Sequence, residues 1–199
     1  YLDFISNEDL LTNDVLIAGS DADTTFENES RTPFRSWRIM DGTEPEGYIE
    51  FEIGYSDLVG NIGDTVEETT NETSILFDMT PPDDFELDTV FVSGGKVIFG
   101  FWNASNDTLT LRVPIPEDDE TLIGGTFQSQ ARFGEGTYVN LGDEKIIIGG
   151  QGVSSQDLKI TRIEFTTANG YSENENVQFI AKAKDRAGNE TVGSTDNTT

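Results

Sequence analysis

Cysteine and histidine are both missing from this 199-residue chain. Without cysteine there is no disulfide, no thiolate nucleophile and no zinc–sulfur site. Without histidine, a Ser-His-Asp triad and an imidazole base at neutral pH are excluded. Basic residues are scarce: 12 Lys and Arg stand against 38 Asp and Glu, a net charge of −26. Such a surface repels nucleic-acid phosphates and anionic lipid, so neither is an expected partner. It attracts hard divalent cations, which makes Ca2+ the one cofactor to consider. No apolar run approaches the roughly 20 residues of a membrane-crossing helix, so no membrane span is expected.

What the chain does hold is alternation. Ile49, Phe51, Ile53 and Tyr55 alternate with Glu50 and Glu52, the pattern of a strand with one acidic face. The same period of two marks Val97-Phe99-Phe101, Leu109-Leu111-Val113, Phe127 with Ala131 and Phe133, Ile146-Ile148, and Val177-Phe179-Ala181-Ala183. Clusters of Gly, Asn, Asp and Ser separate these runs, and none of 12 or more residues has a helical period. Many short strands at short intervals predict an all-β chain of antiparallel sandwiches. Thirteen Phe supply core area to a chain that is only 35% hydrophobic.

A phrase occurs twice. Phe51 to Asn61 and Phe179 to Asn189 both read F-x-x-x-x-x-D-x-(V/A)-G-N, and their starts lie 128 residues apart (179 − 51). An internal repeat of this kind predicts tandem domains. Pro81-Pro82 followed by Asp83-Asp84 predicts a short, stiff, acidic linker, because proline cannot donate to a sheet ladder. The expected domains are 1–81 and 82–199. Aligning the two phrases leaves the first copy short at its start and the second short at its end. A first strand before Tyr1 and a last strand after Thr199 are therefore expected to lie outside these residues, as in a segment of a longer protein. A strand from a neighbouring segment or subunit could complete each sandwich.

A strand ending in D-x-(A/V)-G-N, a Thr-rich stretch, then Ile75-Leu76-Phe77-Asp78 and Thr80-Pro81-Pro82 resembles the bacterial immunoglobulin-like tandem repeats of very large cell-surface proteins. The stretch from Gly95 to Phe133, with its Trp102-Asn103 turn and Val113-Pro114-Ile115-Pro116, resembles a longer variant of that repeat. The resemblance implies two immunoglobulin-like sandwiches in an extracellular, non-enzymatic stalk or adhesin. Its partners would be neighbouring repeats, like subunits, or a surface ligand such as polysaccharide. The alternatives are a subunit of an extracellular filament or surface layer, and a carbohydrate-binding module; for the last, Trp37, Trp102, Tyr138 and Tyr171 would have to be exposed.

Candidate sites follow from the acid and the amides. Asp78, Asp83 and Asp84 bracket the linker, and Asp57 with Asn61, and Asp185 with Asn189, stand at the repeated turns, so these oxygens are the candidate calcium ligands. The alternative is that all are turn residues in water, as Asp118-Asp119-Glu120 is expected to be. Asn28, Asn71, Asn103, Asn106, Asn189 and Asn197 each begin an N-x-(S/T) glycosylation sequence. Thr24, Thr65, Thr89 and Thr108 each follow an Asp and resemble bacterial O-glycosylation sites. No carboxylate pair is set apart by apolar company that would raise a pKa, so no catalytic residue is assigned.

Overall fold

Two strands carry the first part of the chain. β-branched and aromatic side chains at every second position let one strand face bury Val15, Ile17 and Ile53 while the other stays wet. The computed structural model describes residues 1–26, 34–116, 119, 121–149 and 152–194. These form two compact units, Tyr1–Met79 and Thr80–Thr199, dividing just ahead of Pro81-Pro82.

The first unit contains β1 (Leu2–Phe4), β2 (Leu10–Ile17), β3 (Ser20–Asp21), β4 (Thr24–Phe26), β5 (Phe34–Trp37), β6 (Gly47–Tyr48), β7 (Phe51–Asp57) and β8 (Leu76–Phe77). Their orders are β1-β5-β4, β3-β2-β7 and β6-β8, all antiparallel. After β7 the chain turns at Asp57–Asn61 and pairs back onto β7 through Ile62↔Ser56 and Val66↔Ile53. The core is thin. Leu2, Phe4, Ala22, Ile49 and Phe51 pack partly buried on Val15, Ile17 and Ile53, and the Phe4 and Phe34 rings stack at 5.1 Å.

In the second unit, β9 (Thr89–Ser93), β10 (Thr108–Pro114), β11 (Thr126–Phe133), β12 (Val139–Ile146) and β13 (Ser155–Thr161) precede a five-residue helix α1 (Arg162–Thr166). Strands β14 (Val177–Lys184) and β15 (Glu190–Val192) follow it. Two antiparallel sheets, β13-β10-β9 and β12-β11-β14-β15, share one core. Leu109, Leu111 and Val113 of β10 with Leu158 and Ile160 of β13 meet Phe127, Ala131 and Phe133 of β11, Leu141 of β12, and Ala181 and Ala183 of β14. Each large aliphatic side chain buried this way contributes about 2 kcal/mol, so the unit is a sandwich held by apolar burial. Helix α1 links the sheets. Thr161 caps it in a reciprocal bond with Glu164, and it places Phe165 among Trp102, Phe133, Tyr171 and Phe179 at centroid distances of 5.0–6.1 Å.

Two expectations are corrected by the structure. Val97-Phe99-Phe101 is no strand: the chain reverses between Ile98 and Phe101 at Gly100, whose φ is +76°. At Ile146-Ile148 the inward residue is Ile147, which shares the odd-numbered phase of buried Leu141, while Ile146 and Ile148 face water. Strand β15 follows the second turn at once and pairs with β14, as Ile62 and Val66 pair back onto β7 after the first.

Candidate functional site

The repeated phrase makes the same turn twice. Strand β7 ends at Asp57 and β14 one residue before Asp185, and in each copy the Asp N–H donates to the carbonyl of the Asn four residues on, at 3.0 Å for Asp57–Asn61 and 3.1 Å for Asp185–Asn189. The Asp carboxylate then closes the loop. Asp57 Oδ1 accepts from Val59 N (2.9 Å) and Asn61 N (2.8 Å), and its Oδ2 accepts from Asn61 Nδ2 (2.7 Å). Asp185 Oδ1 accepts from Gly188 N (2.6 Å) and Asn189 N (2.9 Å), and its Oδ2 from Asn189 Nδ2 (3.0 Å). Gly60 and Gly188 supply φ of +89° and +101°, which a side chain would resist. The amide of Asn61 and the N–H groups around it hold the Asp57 carboxyl below the usual carboxylate range.

These turns use their carboxylate oxygens internally. Asp78 follows β8 in the first unit and is half-buried, whereas Asp83 and Asp84 are exposed in the second unit, just before buried Phe85. Among the described residues no three acidic side chains converge where a metal ion could sit. Of the acidic run 118–120, only Asp119 is described: its Oδ1 accepts from Thr121 N, Thr121 Oγ1 and Leu122 N, so it acts as a local turn acceptor.

The glycosylation candidates separate by exposure. Asn106 is fully buried: its Nδ2 donates to the carbonyls of Gly94 (2.9 Å) and Lys96 (3.3 Å), and its Oδ1 accepts from Asn103 N. A glycan on Asn106 would break that set. Asn103 donates Nδ2 to Lys96 O at 2.8 Å, and Asn189 is tied into its turn. Asn71 is exposed, and its Oδ1 accepts from Thr73 N and Thr73 Oγ1. Thr65 and Thr89 are exposed, Thr108 is half-buried, and Thr24 lies on β4. Asn28, Asn197, Asp118 and Glu120 lie outside the described residues.

The aromatics divide the same way. Trp102 and Tyr171 pack on the second core, Trp37 is half-buried on β5, and the Arg132 guanidinium lies over the Tyr138 ring at 5.4 Å.

One feature was hidden by its own alternation. Residues 94–106 form a loop with a polar base and an apolar tip. Asn103 and Asn106 bind the Lys96 carbonyl, and Ser105 Oγ accepts from Lys96 N at 2.9 Å. Val97, Ile98, Phe99 and Phe101 project from that base, with Phe99 94% exposed. The signal in the sequence was the flanking Gly94-Gly95 and Asn103-Ala-Ser-Asn106, both loop-formers, around the apolar run. Comparison of the chain with protein-family models, with curated proteins and with solved structures finds no match.

Proposed function

We propose that the chain is a non-enzymatic, load-carrying segment of an extracellular surface protein, with two immunoglobulin-like sandwiches in series. The observation that carries this reading is the way the second unit fastens its two ends together. Residues 80–86 run alongside 189–194 in the same direction. Asn189 Nδ2 donates to Thr80 O, Thr191 Oγ1 to Pro82 O, and Ser194 N to Phe85 O, with a parallel bridge between Glu86 and Ser194. Pulling residue 80 one way and residue 194 the other loads these bonds in shear, so they fail together rather than one at a time.

The immunoglobulin-like assignment draws its support from strand order. Sheet β13-β10-β9 against β12-β11-β14-β15 is the order of a Greek-key sandwich, the chain crossing between sheets from β10 to β11, from β12 to β13 and from β13 to β14. In the first unit β7 carries the repeated phrase and pairs with β2; in the second, β14 carries it and pairs with β11. Calcium belongs to the reading as a counter-ion, for which exposed Asp83 and Asp84 are the open carboxylates. An extracellular location accords with an acidic chain that has no thiol to protect.

Single-molecule pulling tests the proposal. Stretching the chain should give two ruptures, releasing about 28 nm and 43 nm of contour at roughly 3.6 Å per residue for units of 79 and 120 residues. The longer release should occur at the higher force. Ser194→Pro removes the donor to Phe85 and should lower that force while the far-ultraviolet circular dichroism stays unchanged. An unaltered force in this variant would overturn the shear clamp.

A further inference from the structure

We infer that β9 and the apolar loop after it form a self-association face, through which two copies of this chain pair edge to edge about a two-fold axis. Strand β9 lies at the end of its sheet, bonded to β10 on one side. A sheet edge presents unpaired N–H and C=O groups, and proteins normally blunt such edges with charge, proline or a bulge. Strand β9, Thr-Val-Phe-Val-Ser, has none of these. Among the described residues it is the longest edge strand without a charged side chain; β13 and β12, at other edges, carry Asp157 and Lys159, and Asp143, Glu144 and Lys145.

Charge selects the occupant. Residues 89–106 contain no Asp or Glu and a single Lys96, in a chain where nearly one residue in five is acidic. Two copies each carrying −26 repel wherever carboxylates face one another. At this stretch that repulsion is weak, because the charges beside it, Arg112 over the Phe91 ring and Asp107 next to Gly94, are opposite in sign, and a two-fold pairing sets the same carboxylate-poor patch against itself.

The area suffices. Phe91, Phe99 and Phe101 are 40, 94 and 66% exposed, the equivalent of two whole side chains. That is roughly 400 Å² per copy at about 200 Å² each. Doubled by symmetry and extended by exposed Val90, Val97 and Ile98, it reaches the region of ~1,200 Å² where specific interfaces begin. The hydrogen bonds of Asn103, Ser105 and Asn106 fix the loop before association, so little ordering cost falls on the complex. The inference is independent of the load-carrying reading, since a shear clamp and a paired edge involve different strands.

Sedimentation of the whole chain over a concentration series is the test. A discrete dimer is expected in the micromolar range, strengthened by added salt, which screens the net charge. Phe99→Ser with Phe101→Ser should weaken it about tenfold or more while the midpoint measured at monomeric dilution stays unchanged, and Phe91→Lys, which also sets a cation beside Arg112, should weaken it as much. Because the chain has no cysteine, Phe91→Cys gives a clean second readout: oxidation should link two copies near the axis. A chain that stays monomeric at all concentrations overturns the inference. So does a dimer indifferent to these substitutions, a polydisperse aggregate, or a monomer that instead binds phosphatidylcholine vesicles through Phe99.

Discussion

The carboxylate of Asp185 accepts two backbone N–H groups and the side-chain amide of Asn189, and it does so while only 3% exposed. Its counterpart Asp57 makes the matching set with Asn61 on an open surface. One turn is thus built in two environments, and the physics of burial ranks them. Asp185→Ala leaves the N–H groups of Gly188 and Asn189 without their acceptor in a site that admits little water. The cost should be about 1–3 kcal/mol, seen as a fall of roughly 5–10 °C in the melting of the second unit. Asp57→Ala lets water take over the donors and should cost clearly less. Equal losses for the two variants would show that burial of the turn is irrelevant.

Phe165 anchors the second core from a one-turn helix. Its ring touches Trp102 edge-on at 5.0 Å and Tyr171 at 5.6 Å, with Phe133 and Phe179 close by. Phe165→Ala removes the centre of this group and should cost about 3–5 kcal/mol. Trp102 would become wetter, so its fluorescence should shift to the red and the near-ultraviolet dichroism should weaken. Phe165→Leu keeps most of the volume and should recover much of the loss.

Much of this was legible beforehand, for a definable reason. Where alternation coincides with burial, as at Leu109, Leu111 and Val113 or Ala181 and Ala183, periodicity reports the inward face directly. Val97, Phe99 and Phe101 carry the same period yet project into water, because alternation records order along the chain and not what lies opposite. Positive φ at Gly94, Gly95 and Gly100 bends that stretch out of a strand. Asn106 fails in the same manner as a modification site: its sequon states residue order, while the three-dimensional contacts bury its amide. The repeated Asp-x-x-Gly-Asn turns were readable as turns because Asp, Gly and Asn each act locally there.

Acid should unfold the chain abruptly. Several carboxyls are held below their usual range: Asp3 by the Arg35 guanidinium, Asp157 by Arg112, Glu190 by Lys182 and Lys184, and Asp57 by Asn61. A carboxyl whose folded pKa is depressed contributes stability that is fully present above its unfolded value near 4 and is lost as pH falls through the folded value. No histidine titrates above that window. The melting midpoint should therefore stay level from about pH 8 to 5 and drop below about pH 4. A decline that begins between pH 7 and 5 would contradict this assignment.

Electrolyte should act in the opposite sense to acid. At −26 the folded chain repels itself, and compactness increases that repulsion. Raising NaCl from about 20 to 500 mM should raise the midpoint as the screening length falls from roughly 20 Å to 4 Å. Millimolar calcium should raise it further than NaCl of equal ionic strength, and a chelator should reverse that increment. A chelator without effect at constant ionic strength would remove calcium from the account and leave general screening in place.

Two glycines near the second turn separate conformational strain from steric exclusion. Gly188 has φ of +101°, but a Cβ added there would meet nothing within 4 Å. Gly188→Ala therefore carries only the left-handed backbone penalty, about 1 kcal/mol. At Gly125 a Cβ would overlap the Lys184 carbonyl oxygen and stand 2.9 Å from the Cα of Asp185. Those are backbone atoms at the end of β14, so no side chain can swing aside, and the strand itself would have to move off β11. Gly125→Ala should lower the midpoint several times more than Gly188→Ala, and Gly188→Asn should fall below both in cost because Asn tolerates the left-handed region. The order of the three midpoints checks the argument. If Gly125→Ala proves as mild as Gly188→Ala, the close approach of residue 125 to the turn does not limit stability.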